Sequence, residues 1–489
     1  MRLDVLLENI EYSCTGSIDN CDIKGIAYDS RKVKNGYLFV CVKGFQNDGH
    51  DFAVQAVENG AVAVLSEKVL PLQPAGFVSV VTGDTRKALS VLAANFYGKP
   101  SERIKVAGVT GTNGKTTVTH MIKAVLEEAG NKTGVVGTLY SRIGDEENDL
   151  GLTTPEALEL ERFLAECERQ NAWYVTMEIS AHAAALHRID NVNFYCAVFT
   201  NLSQDHLDFF STMEEYLDAK LGFIKMLSDE NGGFCVINGD DGYRDRFINA
   251  SGVPCYTYGF SEEATVRADK LTMDKDGAEF MVEIERKRFP VKMKLIGRFN
   301  VYNALAAITF AWRAGIDFKI IQKALANFRE VAGRFEKIDR GQDFTLVVDY
   351  AHTPDGLENI LKTAKEIAPG RIITVFGCGG NRDKGKRPLM GEIAAKFSDF
   401  TIITSDNPRD EEAIDIVNEI VPGVNKVENS RYAIILDRRE AIHHAVNLAK
   451  KNDFVIIAGK GHENYQIIKG KKSDFDDRKV AAEFLEGLM

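Results

Sequence analysis

The run Val109-Thr110-Gly111-Thr112-Asn113-Gly114-Lys115-Thr116-Thr117 carries the most specific chemistry in the chain. Glycines let backbone N–H groups approach phosphate oxygens, a lysine supplies a point charge for the terminal phosphates, and the hydroxyl after it suits Mg²⁺. A strand before the run and a helix after it would add the positive end of the helix to the cradle. The spacing departs from the common G-x-x-x-x-G-K-[ST] pattern, because Val109 stands at the first glycine position. The loop implies a nucleoside triphosphate. It leaves open a kinase, a switch or a ligase.

A second signal is a lysine among apolar residues. Positions 213–227 read as a helix with a stripe at Met213, Leu217, Ile224 and Leu227, and the spacing puts Lys220 on that stripe. Either the lysine snorkels to solvent along its alkyl stem, or it points into a polar site beneath the helix. Glu178 and the run Asp205-His206-Leu207-Asp208 follow expected strands and are candidates for that site. A carboxylate and an imidazole near a phosphate loop suit Mg²⁺.

These residues need a frame of strands and helices. Residues 1–99 mix short alternating runs (36–42, 61–66, 77–82) with helical stretches and close on the turn Gly98-Lys99-Pro100. Residues 100–330 begin with a strand at 104–110, the glycine-rich turn and a helix at 116–129. Further strands are expected at 133–136, 173–179, 197–202 and 234–238. Such alternation predicts an α/β domain with a mostly parallel sheet. Two alternating runs around Lys275-Asp276-Gly277 predict a hairpin, and a helix is expected at 302–314. Residues 331–489 repeat strand then helix, with strands at 344–349, 371–376, 400–404 and 454–458. Ligands bind outside the carboxyl ends of strands in open α/β sheets. The loops beginning at Asp349, Gly377, Ser405 and Gly459 therefore share one rim.

Composition narrows the class. The 489 residues are 45% hydrophobic and 27% charged, near globular averages, which excludes disorder, a collagen repeat and a disulfide miniprotein. The length suits about three domains. A net charge of −11 argues against a general nucleic-acid binder. No apolar run is long enough to span a membrane, and no signal peptide is expected from the start Met1-Arg2-Leu3-Asp4. The eight cysteines are scattered without a Cys-x-x-Cys pair, which predicts reduced thiols in a cytoplasmic protein and no zinc site.

Taken together the motifs resemble those of the Mur ligases. The phosphate loop looks like their ATP signature, and Phe199-Thr200-Asn201-Leu202-Ser203-Gln204-Asp205-His206-Leu207-Asp208 like their central histidine motif. Gly297-Arg298-Phe299-Asn300-Val301-Tyr302-Asn303-Ala304 and Gly333-Arg334-Phe335-Glu336 match two later ones. Tyr28-Asp29-Ser30-Arg31, Asp349-Tyr350-Ala351-His352-Thr353-Pro354-Asp355, Gly377-Cys378-Gly379-Gly380-Asn381-Arg382-Asp383-Lys384-Gly385 and Gly459-Lys460-Gly461-His462-Glu463 extend the likeness over nearly the whole chain.

The resemblance implies an α/β protein of three domains. Residues 1–99 would hold a UDP-sugar, 100–330 would be a P-loop ATPase, and 331–489 a Rossmann-like domain that brings an amino acid. It implies ATP and Mg²⁺ as cofactors, UDP-N-acetylmuramoyl-L-alanyl-D-glutamate as acceptor, and a monomer in the cytoplasm. Gly111, Thr112, Asn113, Gly114, Lys115, Thr116, Thr117, Asn300, Asn303, Arg334 and His352 would contact ATP. Thr116, Glu178, His206 and Lys220 would position Mg²⁺, with Lys220 carboxylated by CO₂. A carbamate would turn a buried cation into a metal-paired anion. Lys115, His206 and Lys220 are the expected catalytic residues. Ser30, Phe45, Gln46, Asn47, Thr153, Thr154, Ser180 and Arg188 would hold the UDP-linked substrate, although Ala181 and Leu186 depart from the family's usual Ser and Gln. Ser405-Asp406-Asn407-Pro408-Arg409 looks like the motif of members that use meso-2,6-diaminopimelate. Arg382, Asp406, Asn407, Pro408, Arg409, Gly459 and Glu463 would then hold that amino acid. Arginine forks suit its second carboxylate, which L-lysine lacks. L-Lysine addition and a folate–polyglutamate ligase are the alternatives.

Overall fold

The strand Lys105–Thr110 occupies the middle of an 11-stranded sheet, with Phe194–Phe199 on one side and Tyr174–Glu178 on the other, all parallel. A computed structural model describes residues 1–45, 47–70, 78–148, 150–274, 276–329 and 331–487. Alternate residues of the central strand serve opposite faces, as the pleat requires. Ala107 and Val109 pack on the helices Lys115–Glu128 and Arg298–Arg313, while Val106 packs on Ala157–Arg169 and Met213–Ile224. Both faces are covered, so the strand is apolar from Val106 to Val109, and its carboxyl end is where a ligand can sit.

Two further sheets flank this one. Residues 13–81 form five strands, four of them parallel, with Ser13–Thr15 antiparallel at an edge. Residues 336–458 form six, in the order Glu336–Lys337, Thr345–Asp349, Phe454–Ala458, Ile372–Phe376, Phe400–Ile403, Tyr432–Ile434. Phe454–Ala458 lies between Thr345–Asp349 and Ile372–Phe376. Loops after these strands diverge there and leave a crevice. Among the described residues, no helix is long and apolar enough to cross a membrane. All eight cysteines are unpaired thiols.

Most expected elements are present, with shifts that have local causes. The strand expected at 197–202 runs Phe194–Phe199, because Thr200 and Asn201 leave the sheet to bond the phosphate loop. The helix expected at 302–314 is Arg298–Arg313, opened one turn earlier by Gly297 at φ +103°. The helix expected at 213–227 is Met213–Ile224. Its Thr212 side chain accepts from Glu215 N, and Glu215 in turn accepts from Ser211 N at 2.8 Å, a near capping box. Val266–Asp274 and Gly277–Ile284 pair antiparallel up to Asp274 and Gly277, while Lys275 of the expected hairpin turn lies outside the described residues. Phe77, where the third expected run begins, also lies outside them, and the strand seen is Val78–Val81.

Two close packings hold the rims in place. Gly108 faces the ring of Phe223, and a methyl group at 108 would press into that ring. The missing side chain lets the helix Met213–Ile224 sit tight on the sheet, one turn from Lys220. Beside the third sheet, Arg438 and Asp477, which open the helices Arg438–Leu448 and Asp477–Glu486, form a fully buried fork, Nε to Oδ1 at 2.8 Å and Nη2 to Oδ2 at 2.7 Å. Arg438 also donates to the carbonyls of Ala458 (2.9 Å) and Ser405 (3.3 Å), tying two rim loops together. Removing one partner leaves an uncompensated buried charge, which costs about 3–5 kcal/mol. Asp477→Ala should therefore lower the urea midpoint of the C-terminal transition steeply. An unchanged midpoint would show that the fork does not hold this layer.

Candidate active site

The phosphate loop is braced from behind by the segment after Phe194–Phe199. Thr112 N donates to Asn201 O (2.9 Å), Asn113 N to Asn201 Oδ1 (2.9 Å), and Thr200 Oγ1 to Asn113 O (2.6 Å). Gly111 stands at φ +144° against Thr200, so neither its conformation nor its space accepts a side chain. The sharp turn thus falls at Gly111, and Val109 remains buried in the strand, which explains the missing first glycine.

Two lysines converge on one carbonyl. Lys115 Nζ donates to Gly111 O (2.9 Å) and Thr112 O (2.8 Å), and Lys220 Nζ donates to Gly111 O at 3.0 Å. Lys220 is 1% exposed and lies 4.5 Å over the Tyr216 ring. Snorkelling is excluded, and the stripe does carry its lysine inward. Burial, and then the Lys115 charge, push the Lys220 amine well below the ordinary lysine range. Burial also lowers Lys115, with Glu178 opposing.

Thr116 Oγ1 donates to Glu178 Oε2 at 3.0 Å, and Thr138 N donates to Glu178 Oε1 at 2.8 Å. Arg334 Nη2 reaches Thr116 Oγ1 at 3.1 Å. One hydroxyl and one carboxylate in contact suit Mg²⁺ held jointly with phosphates, since this ion keeps few protein ligands. Among the described residues, no cluster of three or more His, Cys, Asp or Glu side chains could hold a metal alone.

His206 sits at φ +57°, a left-handed position that costs a non-glycine residue about 1–3 kcal/mol. Burial pushes its imidazole down to about 3. Its neighbour Asp205 is buried, with His206 Nε2 at 3.4 Å, Lys386 Nζ at 3.7 Å and His352 Nε2 at 3.9 Å. Burial works against the Asp205 carboxylate, but these three groups outweigh it and hold it ionised. Burial pushes His352 down to about 4.

Above the loop lies a cavity of about 250 Å³, lined among others by Asn113, Gly114, Thr117, Asn303, Arg334, Phe299 and Tyr302. Asn300 and His352 are not on its wall. Asn300 is buried and accepts from Asn303 Nδ2 at 3.1 Å, and His352 faces Asp205 instead. Phe299, Tyr302 and Asp355 carried no separate signal, although all three lie inside motifs. Asp355 accepts from Asn113 Nδ2 at 2.7 Å and closes one wall from the third domain.

The third domain's rim is organised around Asn407 and Glu463. Asn407 Nδ2 and Lys460 Nζ each donate to Glu463 Oε2 at 2.8 Å. Lys460 is fully buried, and sequence reasoning missed it. Arg409, at φ +54°, is half-buried and donates to Gly380 O at 2.7 Å; among the described residues it forms no ion pair. Arg382 lies 3.6 Å from Asp208. Asp406 and Gly459 meet at the crevice, where a methyl group on Gly459 would approach the Asp406 carboxylate.

The expected UDP-substrate residues are more dispersed. Ser30 is buried and donates to Gln55 Oε1 at 2.7 Å, while Phe45 and Asn47 are exposed. Gln46 lies outside the described residues. Phe45 reaches the second domain, edge-on to Phe209 with ring centroids 5.7 Å apart. Thr154 Oγ1 donates to Glu178 O (2.8 Å), Thr153 contacts Thr138, and Ser180 caps the helix Ala181–Ala185. Arg188 pairs with Glu156 at 2.9 Å. Thr153, Thr154, Ser180 and Arg188 thus line up beside Glu178.

Family models match the chain in three stretches: "Mur ligase family, catalytic domain" over 22–97, "Mur ligase middle domain" over 109–311 and "Mur ligase, glutamate ligase domain" over 333–461. The chain belongs to the Mur ligase family. A relative from Syntrophomonas wolfei, named UDP-N-acetylmuramoyl-L-alanyl-D-glutamate–2,6-diaminopimelate ligase, is 54% identical over 488 residues, covering 100% of this chain and 99% of its own. A solved structure of a ligase of that same name is similar with a TM-score of 0.70 at 32% identity, over 100% of this chain and 99% of that one. A folylpolyglutamate synthase from Mycobacterium tuberculosis, solved with ADP, has a TM-score of 0.65 at 15% identity over 82% of this chain and 94% of its own. That likeness is one of fold.

Lys115 opens the helix Lys115–Glu128 directly after the loop, with its Nζ on the loop carbonyls of Gly111 and Thr112. Lys115→Ala should fold normally and lose roughly 10²–10³ in turnover, as for removal of one preorganised charge donor. Near-wild-type turnover with ATP would remove the loop from the chemistry.

Proposed function

We infer that this protein is an ATP-dependent amide ligase that joins meso-2,6-diaminopimelate to UDP-N-acetylmuramoyl-L-alanyl-D-glutamate in peptidoglycan precursor synthesis. One observation carries the reading: the braced phosphate loop faces, across a domain crevice, a rim whose half-buried Arg409 donates to Gly380 O and, among the described residues, closes no ion pair. The full-length likeness to the relative named for that reaction supports it. A folate–polyglutamate ligase has fold likeness alone on its side.

In this reading Gly111, Thr112, Asn113, Gly114, Lys115, Thr116, Thr117, Asn303 and Arg334 hold ATP, with Asn300 orienting Asn303. Ser30, Phe45, Gln46 and Asn47 take the nucleotide end of the acceptor, and Thr153, Thr154, Ser180 and Arg188 the rest. Arg382, Asp406, Asn407, Pro408, Arg409, Gly459 and Glu463 take diaminopimelate. An oxygen lone pair of the D-glutamyl carboxylate attacks the γ-phosphorus, and the bond to the β-phosphate oxygen breaks with its electrons on ADP. The amine of diaminopimelate then attacks the acyl carbon, its excess proton goes to solvent, and phosphate leaves with the C–O electron pair. Lys115 and the loop amides stabilise the charge that spreads over the phosphoryl oxygens.

Thr116, Glu178, His206 and carboxylated Lys220 would hold Mg²⁺, which when bound neutralises phosphate charge. The Lys220 environment favours the modification: a buried amine kept neutral is a nucleophile for CO₂, and the resulting anion is compensated by metal. All proposed groups come from one chain, so a monomer suffices. A nucleotide-driven reaction and eight free thiols fit the cytoplasm.

The direct test is phosphate release with ATP, the UDP-linked dipeptide and diaminopimelate, each omitted in turn. Release that ignores either co-substrate would sink the ligase reading. Lys220→Ala should be inactive and regain part of its turnover with a short carboxylic acid. No rescue, with ADP binding intact, would argue against the carbamate. Arg409→Ala should raise the KM for diaminopimelate by the roughly 2–5 kcal/mol that a truncated buried contact costs. The KM for ATP should hold, and residual activity with L-lysine should not fall in parallel. An equal loss for both amino acids would mean that Arg409 shapes the loop without reading the carboxylate.

A further inference from the structure

Lys386 opens the helix Lys386–Phe397 in the third domain and is 4% exposed. A buried ammonium has three N–H donors to satisfy. Among the described residues none of them makes a hydrogen bond, and its one ion pair is the 3.7 Å contact to Asp205 Oδ1. Charge-assisted bonds run about 2.7–2.9 Å, so this pair is not closed. Asp205 is equally loose towards His206 and His352, at 3.4 and 3.9 Å. The four groups come from two domains and meet beside the phosphate loop.

We propose that Lys386 binds the phosphoryl group of the acyl-phosphate intermediate and holds it as it leaves. The inference rests on the ligase reading above. During transfer the phosphoryl group moves away from ADP and its Lys115 cradle towards the acceptor carboxylate. When the amine's lone pair then forms the C–N bond, the C–O bond breaks and its electron pair departs with phosphate. That oxygen gains charge at a point the loop no longer covers. Lys386 lies on the loop and helix that also carry Arg382, so the domain bringing the amine brings this cation with it. The first turn of the helix adds positive potential in the same direction. The donors left unfilled by protein are those the phosphate oxygens fill.

The rival explanation is that Lys386 only neutralises Asp205. Four full-length proteins separate the two: wild type, Lys386→Met, Asp205→Asn and the double variant. Each is assayed for kcat and KM, for ATP bridge-to-nonbridge ¹⁸O exchange without diaminopimelate, for MgADP binding and for thermal midpoint. The expected result is a kcat lowered roughly 100-fold in Lys386→Met, with KM for ATP and diaminopimelate within about threefold and slower isotope exchange. The same factor should appear when Lys386→Met is added to Asp205→Asn, because the lost contact is to substrate and the two losses add. If Asp205→Asn cancels the Lys386→Met effect on kcat as well as on the midpoint, the lysine is a counter-ion and the proposal falls. Unchanged kcat in Lys386→Met overturns it also. If wild type releases no phosphate in the three-substrate assay, the ligase reading itself has failed; an active wild type with an indifferent variant removes this inference alone.

Discussion

The Nζ atoms of Lys115 and Lys220 share the carbonyl oxygen of Gly111, and much of the site follows from that crowding. Two amines on one acceptor repel, and burial removes the water that would screen them. The protein answers by weakening one charge: Lys220 projects from the buried face of its own helix, where its proton is poorly held. It answers also with carboxylates set back from the loop. Glu178 is engaged by Thr116 and Thr138, and Asp205 is held among two imidazoles and Lys386. The loop therefore remains short of negative charge until phosphates arrive, and the nucleotide's own charge completes the electrostatics of the fold.

Three hydrogen bonds that cross between the second domain and the third are individually modest. Asn113 meets Asp355 at 2.7 Å, Gln204 meets Asp383 at 2.9 Å, and Arg334 meets Thr116 at 3.1 Å. Each such bond nets about 0.5–1.5 kcal/mol, so the set amounts to a few kcal/mol. Ties of that size can be made and released in each turnover. Within each domain the forces are larger. The fork of Arg438 and Asp477 and the apolar faces of the large sheets hold each rim to its own domain.

Much of this was legible in the residues. The phosphate loop announced itself by local pattern, and the apolar stripe located Lys220 because helix period is a local property. Strand positions were readable to within a few residues, since buried parallel strands are apolar runs. The failures share a physical cause. The strand before Thr200 ends early because two side chains bond a loop almost ninety positions away in the chain, a pairing no local pattern encodes. Arg438 on Asp477 and His352 facing Asp205 are likewise products of topology. Asn300 was read as touching nucleotide; its amide meets Ile296 O and Asn303, partners that the motif's spacing does not reveal.

Gly108 lies in the middle of a buried strand, and its absent side chain is what the Phe223 ring rests against. A single added methyl would tilt the helix that carries Lys220 while leaving every polar group of the site intact. Such an allele would look, in a genetic screen, like a lesion in the reaction centre. In a contact map drawn from the bound substrates it would be invisible. The active site's true perimeter, counted by the positions that inheritance cannot alter, extends down the strand into the hydrophobic layer.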